Sequence, residues 1–144
     1  MISNDLVQAA IVAQLKANTV LTTWLTDESA GDEIREAQWQ GRAFTYPAVR
    51  VQVGTQQAGG NGPCYTTTGE TTFTIYCYSE NDSSQECDQL AGLVDNALLG
   101  LRLSGTGFST GPVLSDGLIH AVRTGERVWE AVCLFRCQLY GGFP

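Results

Sequence analysis

The chain has 144 residues, a size that suits one domain and suffices for a real hydrophobic core. Eight Lys and Arg against fifteen Asp and Glu give a formal net charge of −7. Binding of nucleic acid through phosphate neutralisation is therefore disfavoured, and no local run of basic residues makes an exception, although plain solubility accounts for the acidity equally well. No apolar run is long enough to span a bilayer, and Met1 to Asp5 lack the basic-then-apolar pattern of a secretory leader.

Ser3 is the expected N-cap of a first helix running to about Lys16. Val7, Ile11 and Leu15 recur four apart, with Leu6, Ala10 and Ala13 beside them, so one face is apolar. Asn18 or Thr19 then caps a short second helical turn carrying Val20, Leu21, Trp24 and Leu25. Thr26 to Asp32 reads as loop by composition. Ile34 opens a short strand or extended arm through Trp39. Pro47 bars helix at Tyr46 and marks the start of a strand, Ala48 to Gln56, in which Val49, Val51 and Val53 alternate with Arg50 and Gln52. Gln57, Ala58, Gly59, Gly60, Asn61, Gly62 and Pro63 cannot continue it and read as a flexible hairpin tip.

A return strand is expected from about Tyr65 to Tyr78, with Phe73, Ile75 and Cys77 on one face and Thr72, Thr74, Tyr76 and Tyr78 on the other. Ser83 and Glu86 have capping-box spacing, and Asp82 adds negative charge beside the helix start. The stripe Cys87, Leu90, Ala91, Val94, Ala97, Leu98 and Leu101 is the clearest helical pattern in the chain. Gly100, Gly105 and Gly107 mark its exit. Two last strands are expected, about Leu118 to Thr124 and Val128 to Tyr140, around a tight turn at Gly125 and Glu126. Because Val132 and Leu134 oppose the face of Ala131, Cys133, Phe135, Cys137 and Leu139, the last strand should be central. The predicted architecture is a single α+β domain over residues 1–144, a mostly antiparallel β-sheet with two main α-helices packed on one face.

The residues nominate no catalytic, metal or cofactor site. His120, the sole histidine, sits mid-strand, and no third group is nominated to make it a base for a cysteine nucleophile. Cys133 and Cys137 share a strand face but lie about 13 Å apart, too far for one zinc ion unless Cys77 and His120 converge as well. Five cysteines, Cys64, Cys77, Cys87, Cys133 and Cys137, are expected as reduced thiols of a cytosolic product. The glycines at 59–62 precede a strand and lack a phosphate-loop lysine, and Gly105 and Gly107 follow a helix, the wrong order for a dinucleotide fingerprint. Asp27, Glu28, Asp32 and Glu33 lack calcium-loop spacing and read as a solvated acidic loop.

Surface carries more information than site chemistry. Trp24, Trp39, Phe44 and Tyr46 lie in or beside irregular segments, where a monomer gains little from large aromatics. Ile34, Trp39, Arg42, Phe44 and Tyr46 therefore read as an arm that docks on a neighbour, or else as an arm folded over its own sheet.

The order of these pieces resembles the tail terminator or tail completion proteins of long-tailed bacteriophages over nearly the whole chain. The pieces are the helix Ala9 to Lys16, the turn through Leu25, Glu33-Ile34-Arg35 leading into Tyr46-Pro47-Ala48-Val49-Arg50-Val51, the strand Thr72 to Ser79, the capped helix, and the hairpin ending Val132-Cys133-Leu134-Phe135-Arg136. The resemblance implies a virion protein, assembled in the host cytoplasm, that forms a homo-oligomeric ring of six on the head-proximal end of the tail tube. It would contact the tail tube protein and the head connector or stopper, while genome DNA passes through unbound. It implies no enzyme activity and no membrane. Ile34, Trp39, Arg42, Phe44 and Tyr46 would serve the ring interface. Gln57, Gly59, Gly60, Asn61, Gly62 and Pro63 would face the tube, connector or lumen. Six copies carry about −42 in formal charge, which suits a conduit that must not hold DNA. The alternatives are another neck or minor tail component and a monomeric α+β small-molecule binding domain.

Overall fold

A computed structural model describes residues 2–28, 34–37, 46–58 and 67–141. Helix α1 (Asn4–Ala17) begins after Ser3, whose extended backbone lets its carbonyl accept the N–H of Leu6 at 3.1 Å. Val7, Ile11 and Leu15 form its buried face. Asn18 closes α1 and caps the next helix, its Oδ1 accepting the Leu21 N–H at 2.9 Å. That helix, α2 (Thr19–Glu28), outruns the expected single turn and takes in Thr26, Asp27 and Glu28. Polar composition alone does not break a helix, and no Gly or Pro intervenes before Gly31.

Strand β1 (Ile34–Glu36) is only three residues long and runs parallel to β2 (Ala48–Ala58). Its register is extended by the Ala37 N–H donating to the Val51 carbonyl at 2.8 Å. β2 then pairs antiparallel with β3 (Thr67–Glu80). Here the expected strand end at Gln56 needs correction. Beyond a bulge between Val53 and Gln56, Gln57 pairs with Glu70 and Ala58 with Gly69. Gln57 is thus a strand residue rather than part of the tip, because the ladder offered by β3 outweighs local flexibility. Gly59, Gly60, Asn61, Gly62 and Pro63 lie outside the described residues.

Helix α3 (Gln85–Leu98) buries Cys87, Leu90, Ala91, Val94, Ala97 and Leu98, as its stripe predicts. The cap falls one residue later than expected, at Ser84, whose side chain makes no cap bond; Ser83 Oγ accepts the Gln85 N–H at 3.4 Å. The helix also ends earlier, so Leu101 lies past it. Gly100, at φ +80°, supplies the left-handed turn that side chains with a Cβ rarely adopt, and its N–H donates to Val113 at 2.9 Å.

Two short strands follow that periodicity does not announce, β4 (Arg102–Gly105) and β5 (Phe108–Pro112). Their ladder is antiparallel, and they bury Leu103 and Phe108. Rich in Gly, Ser and Thr, they carry too few apolar residues to show a period of two. β6 (Leu114–Gly125) begins four residues before the expected Leu118, and β7 (Val128–Gly141) closes the described chain. The turn between them is Glu126-Arg127 rather than Gly125-Glu126: Gly125 still pairs with Val128, and Arg127 takes the positive φ, at 64°.

The strand order is β1-β2-β3-β7-β5-β4, with β6 on the same side of β7 as β5. β3 pairs with β7 over its whole length, from Thr67 opposite Gly141 to Glu80 opposite Val128. The other edge of β7 is shared: β6 takes Val128 to Arg136 and β5 takes Leu139 to Gly141. β7 is therefore central, as its two partly apolar faces predict. All three described helices feed one core against the inner face of this curled, mostly antiparallel sheet, so the fold is α+β. Phe73 and Phe135 stack at its centre with ring centroids 5.2 Å apart. Removing such side chains from water contributes roughly 1.5–3 kcal/mol each before entropy is counted.

Candidate functional site

The opposite face of the sheet carries no described helix. Antiparallel register puts residues that face each other across a ladder on the same side. Tyr76 of β3, Val132 of β7 and Ile119 of β6 therefore form one outward row. Thr74, Leu134 and Gly117 form the next. Thr72, Arg136 and Leu114 form a third, and Tyr78, Glu130 and Val122 a fourth. Tyr76 and Tyr78 lie with ring centroids 6.4 Å apart. Toward the sheet's far side the surface closes, since Ala48 is fully buried and Arg50 is 5% exposed. Toward β6 it opens.

None of the twelve residues of β6 is buried. Of the eight exposed large apolar side chains among the described residues, four are here: Leu114, Leu118, Ile119 and Val122, between 38% and 52% exposed. Leu118, opposite Cys133, faces the helix side; the other three face outward. One edge of β6 is paired with β7, and on the other no strand is found among the described residues. Two features hold the strand in place. The Ala121 N–H, at a register break, donates to Asp88 of α3 at 2.9 Å. Arg136 Nε meets Asp116 Oδ1 at 2.9 Å and reaches toward Glu70 of β3 at 4.0 Å. Gly117, at φ +132°, supplies a backbone bend that a side chain would strain.

Of the arm residues expected at an interface, Trp39, Arg42 and Phe44 lie outside the described residues. Tyr46 is half-buried just before a cis Tyr46–Pro47 bond. Ile34, at 3% exposure, belongs to the chain's own core cluster. Leu114, Ile119 and Val122 are exposed apolar residues that sequence reasoning did not single out. Their signal was present: an apolar set on a strand whose partner β7 is already apolar on both faces.

Side chains with reactive potential are divided: the described thiols are buried and the histidine is exposed. His120 is exposed on β6, so it does not converge with the thiols. Cys77, Cys87, Cys133 and Cys137 are buried free thiols. A hydrogen bond that the Cys77 thiol donates to Cys133, with burial second, pushes Cys77 well above its usual range. Burial pushes Cys87 and Cys137 up to about 11. Thiols held protonated in this way are poor nucleophiles and poor metal ligands. Among the described residues no three His, Cys, Asp or Glu side chains gather as a metal set. Among the described residues, a cleft of about 520 Å³ between α1 and β1 is lined by Asp5, Gln8, Lys16 and Glu36 among others. No described helix is long and apolar enough to cross a membrane.

No protein-family model and no curated protein matches the chain. Solved structures do. A chain of a structure described as the virion of a native gene transfer agent particle superposes with a TM-score of 0.72 at 19% identity, over 95% of this chain and 96% of that one. A second solved chain matches with a TM-score of 0.55 at 18% identity, over 100% and 99%. At such identities the likeness establishes the fold alone, an α+β architecture shared with a chain of a virion particle.

Proposed function

We propose that the protein is a non-enzymatic structural component of a phage-like virion. Within the virion it forms a ring at the head-proximal end of the tail, capping the tail tube and docking it to the head connector. The observation that carries this reading is the end-to-end likeness to a chain of a gene transfer agent virion. The order of elements that resembles tail terminators supports the finer placement, and a sheet face that carries no described helix is compatible with contacts to neighbours. A net charge of −7 per copy suits a ring that lets DNA pass without holding it.

In this reading the sheet and α3 are the scaffold. The arm with Trp39, Arg42, Phe44 and Tyr46 contributes to contacts between subunits, and the tip at Gly59 to Pro63 meets the tube, the connector or the lumen. Imaging of the assembled particle tests the placement: density for this chain as a ring of six between tube and connector supports it. Density in the tube wall, the portal or the baseplate refutes it. A ring directly beneath the portal would instead make the chain a stopper.

A further inference from the structure

We infer that Cys77 and Cys133 are a redox pair, a dithiol in a reducing medium that a peroxide-class oxidant joins into a disulfide tying β3 to β7 inside the core. The inference concerns the chain's own thiols and does not depend on the ring reading above.

Three buried thiols meet where α3 packs on the central ladder, and their hydrogen bonds tell them apart. Cys77 lies opposite Ala131 and Cys133 opposite Ile75, so the two are diagonal neighbours on the inner face of β3 and β7. Both are fully buried. The Cys77 thiol donates to the Cys133 sulfur. Cys133 itself donates to the Ala91 carbonyl of α3 at 3.5 Å. Cys87 is aimed at backbone, its thiol donating to the Cys77 carbonyl at 3.2 Å. Cys137 stands apart, opposite Thr71 and four residues along β7 from Cys133, a separation of about 13 Å. Among the described thiols, Cys77 and Cys133 are thus the pair joined sulfur to sulfur.

The step balances with a peroxide alone. One sulfur attacks the O–O bond and becomes a sulfenic acid, while the departing oxygen takes the thiol proton and leaves as water. The second sulfur then attacks the sulfenic sulfur, forming the S–S bond and releasing a second water. Two electrons pass from the two thiols to the peroxide, and both thiol protons end on water.

The surroundings set the rate and the reversibility. The hydrogen bond and the burial that keep Cys77 protonated make it a slow nucleophile, so the pair closes over a long exposure and has no catalytic use. Diagonal neighbours have Cα atoms about 7–8 Å apart, at or just beyond the reach of a disulfide. Closing the bond therefore draws the strands together, and a bond formed against that resistance is readily opened by a reductant. Slow closure with ready reopening makes the pair a reversible record of the medium.

The test uses the full-length chain carrying Cys64→Ser, which leaves the four described thiols. It is held in mildly alkaline buffer with hydrogen peroxide, while circular dichroism confirms that the fold persists. Thiol titration in denaturant, native mass and peptide mapping are read before and after. The expected result is a monomer that loses two thiols, shows an intrachain Cys77–Cys133 link, and recovers both thiols with dithiothreitol. Cys133→Ala should lose none, and Cys87→Ala should still lose two. If Cys133→Ala does not fold, the peptide map of the parent decides alone. A Cys77–Cys87 link, sulfinic acid without any link, or four thiols retained under peroxide that fully oxidises glutathione would each overturn the pair. A link that dithiothreitol leaves closed would overturn its reversibility.

Discussion

The two strands of the last hairpin are joined by two residues and share a ladder, yet they lie in opposite environments. β7 alternates, burying Ala131, Cys133, Phe135, Cys137 and Leu139 under the helices, and has strands on both edges. β6 carries comparably apolar residues, Leu114, Leu118, Ile119 and Val122, and buries none of them. The difference lies in what each strand packs against, since apolar content does not separate them. An apolar side chain contributes to folding only when the fold brings atoms over it, and otherwise it remains available to a neighbour.

The sharpest way to break this comparison is to truncate one residue from each side of it. Phe135→Ala removes a ring stacked on Phe73 in the closed core, and is expected to lower stability by about 3–5 kcal/mol in urea unfolding. A loss below 1 kcal/mol would mean that the core is loose. Second in size is a pH effect from the buried thiols of the inner face. Below pH 9 both Cys87 and Cys137 are protonated folded and unfolded, so their burial carries no ionisation penalty. Above it the unfolded chain ionises first, and stability falls until the folded pKa of about 11 is reached. Each thiol then withdraws on the order of 2 kcal/mol. Denaturant midpoints across pH 8–11 should fall for wild type and less steeply for Cys87→Ala; parallel curves would contradict the burial.

Asp88→Ala comes next. It deprives the Ala121 N–H of its acceptor and should cost about 1 kcal/mol. Amide exchange should quicken at Ala121 while remaining slow in β7. Uniform acceleration along both strands would show that they open as one unit. Smallest is Val122→Ser, expected to change monomer stability by less than about 0.5 kcal/mol because the side chain is already half in water. A larger loss by thermal unfolding would mean that β6 is packed after all.

Much of this was legible beforehand. The faces of α1, α3, β3 and β7 follow from Val7-Ile11-Leu15, from Leu90-Ala91-Val94 and from strict alternation through Phe73 and Phe135, because periodicity reports which side will be buried. β4 and β5 were not legible, since four- and five-residue strands held by Leu103 and Phe108 offer too few repeats. Nor was the continuation of β2 through Gln57 and Ala58, which its partner decides. The outward face was half legible: Val132 and Leu134 showed a second apolar face on β7, but nothing local said that no described helix would lie over it.

By itself the sequence determined the fold class, the core faces, the net charge and the absence of any residue pattern that nominates a catalyst, because these depend on residue type and spacing along one segment. The tertiary structure decided which edge of β7 each neighbour takes, that Ile34 belongs to the core, and that Leu114, Ile119 and Val122 face solvent. Those outcomes depend on what lies across a ladder or over a face, and residues distant in the chain supply that.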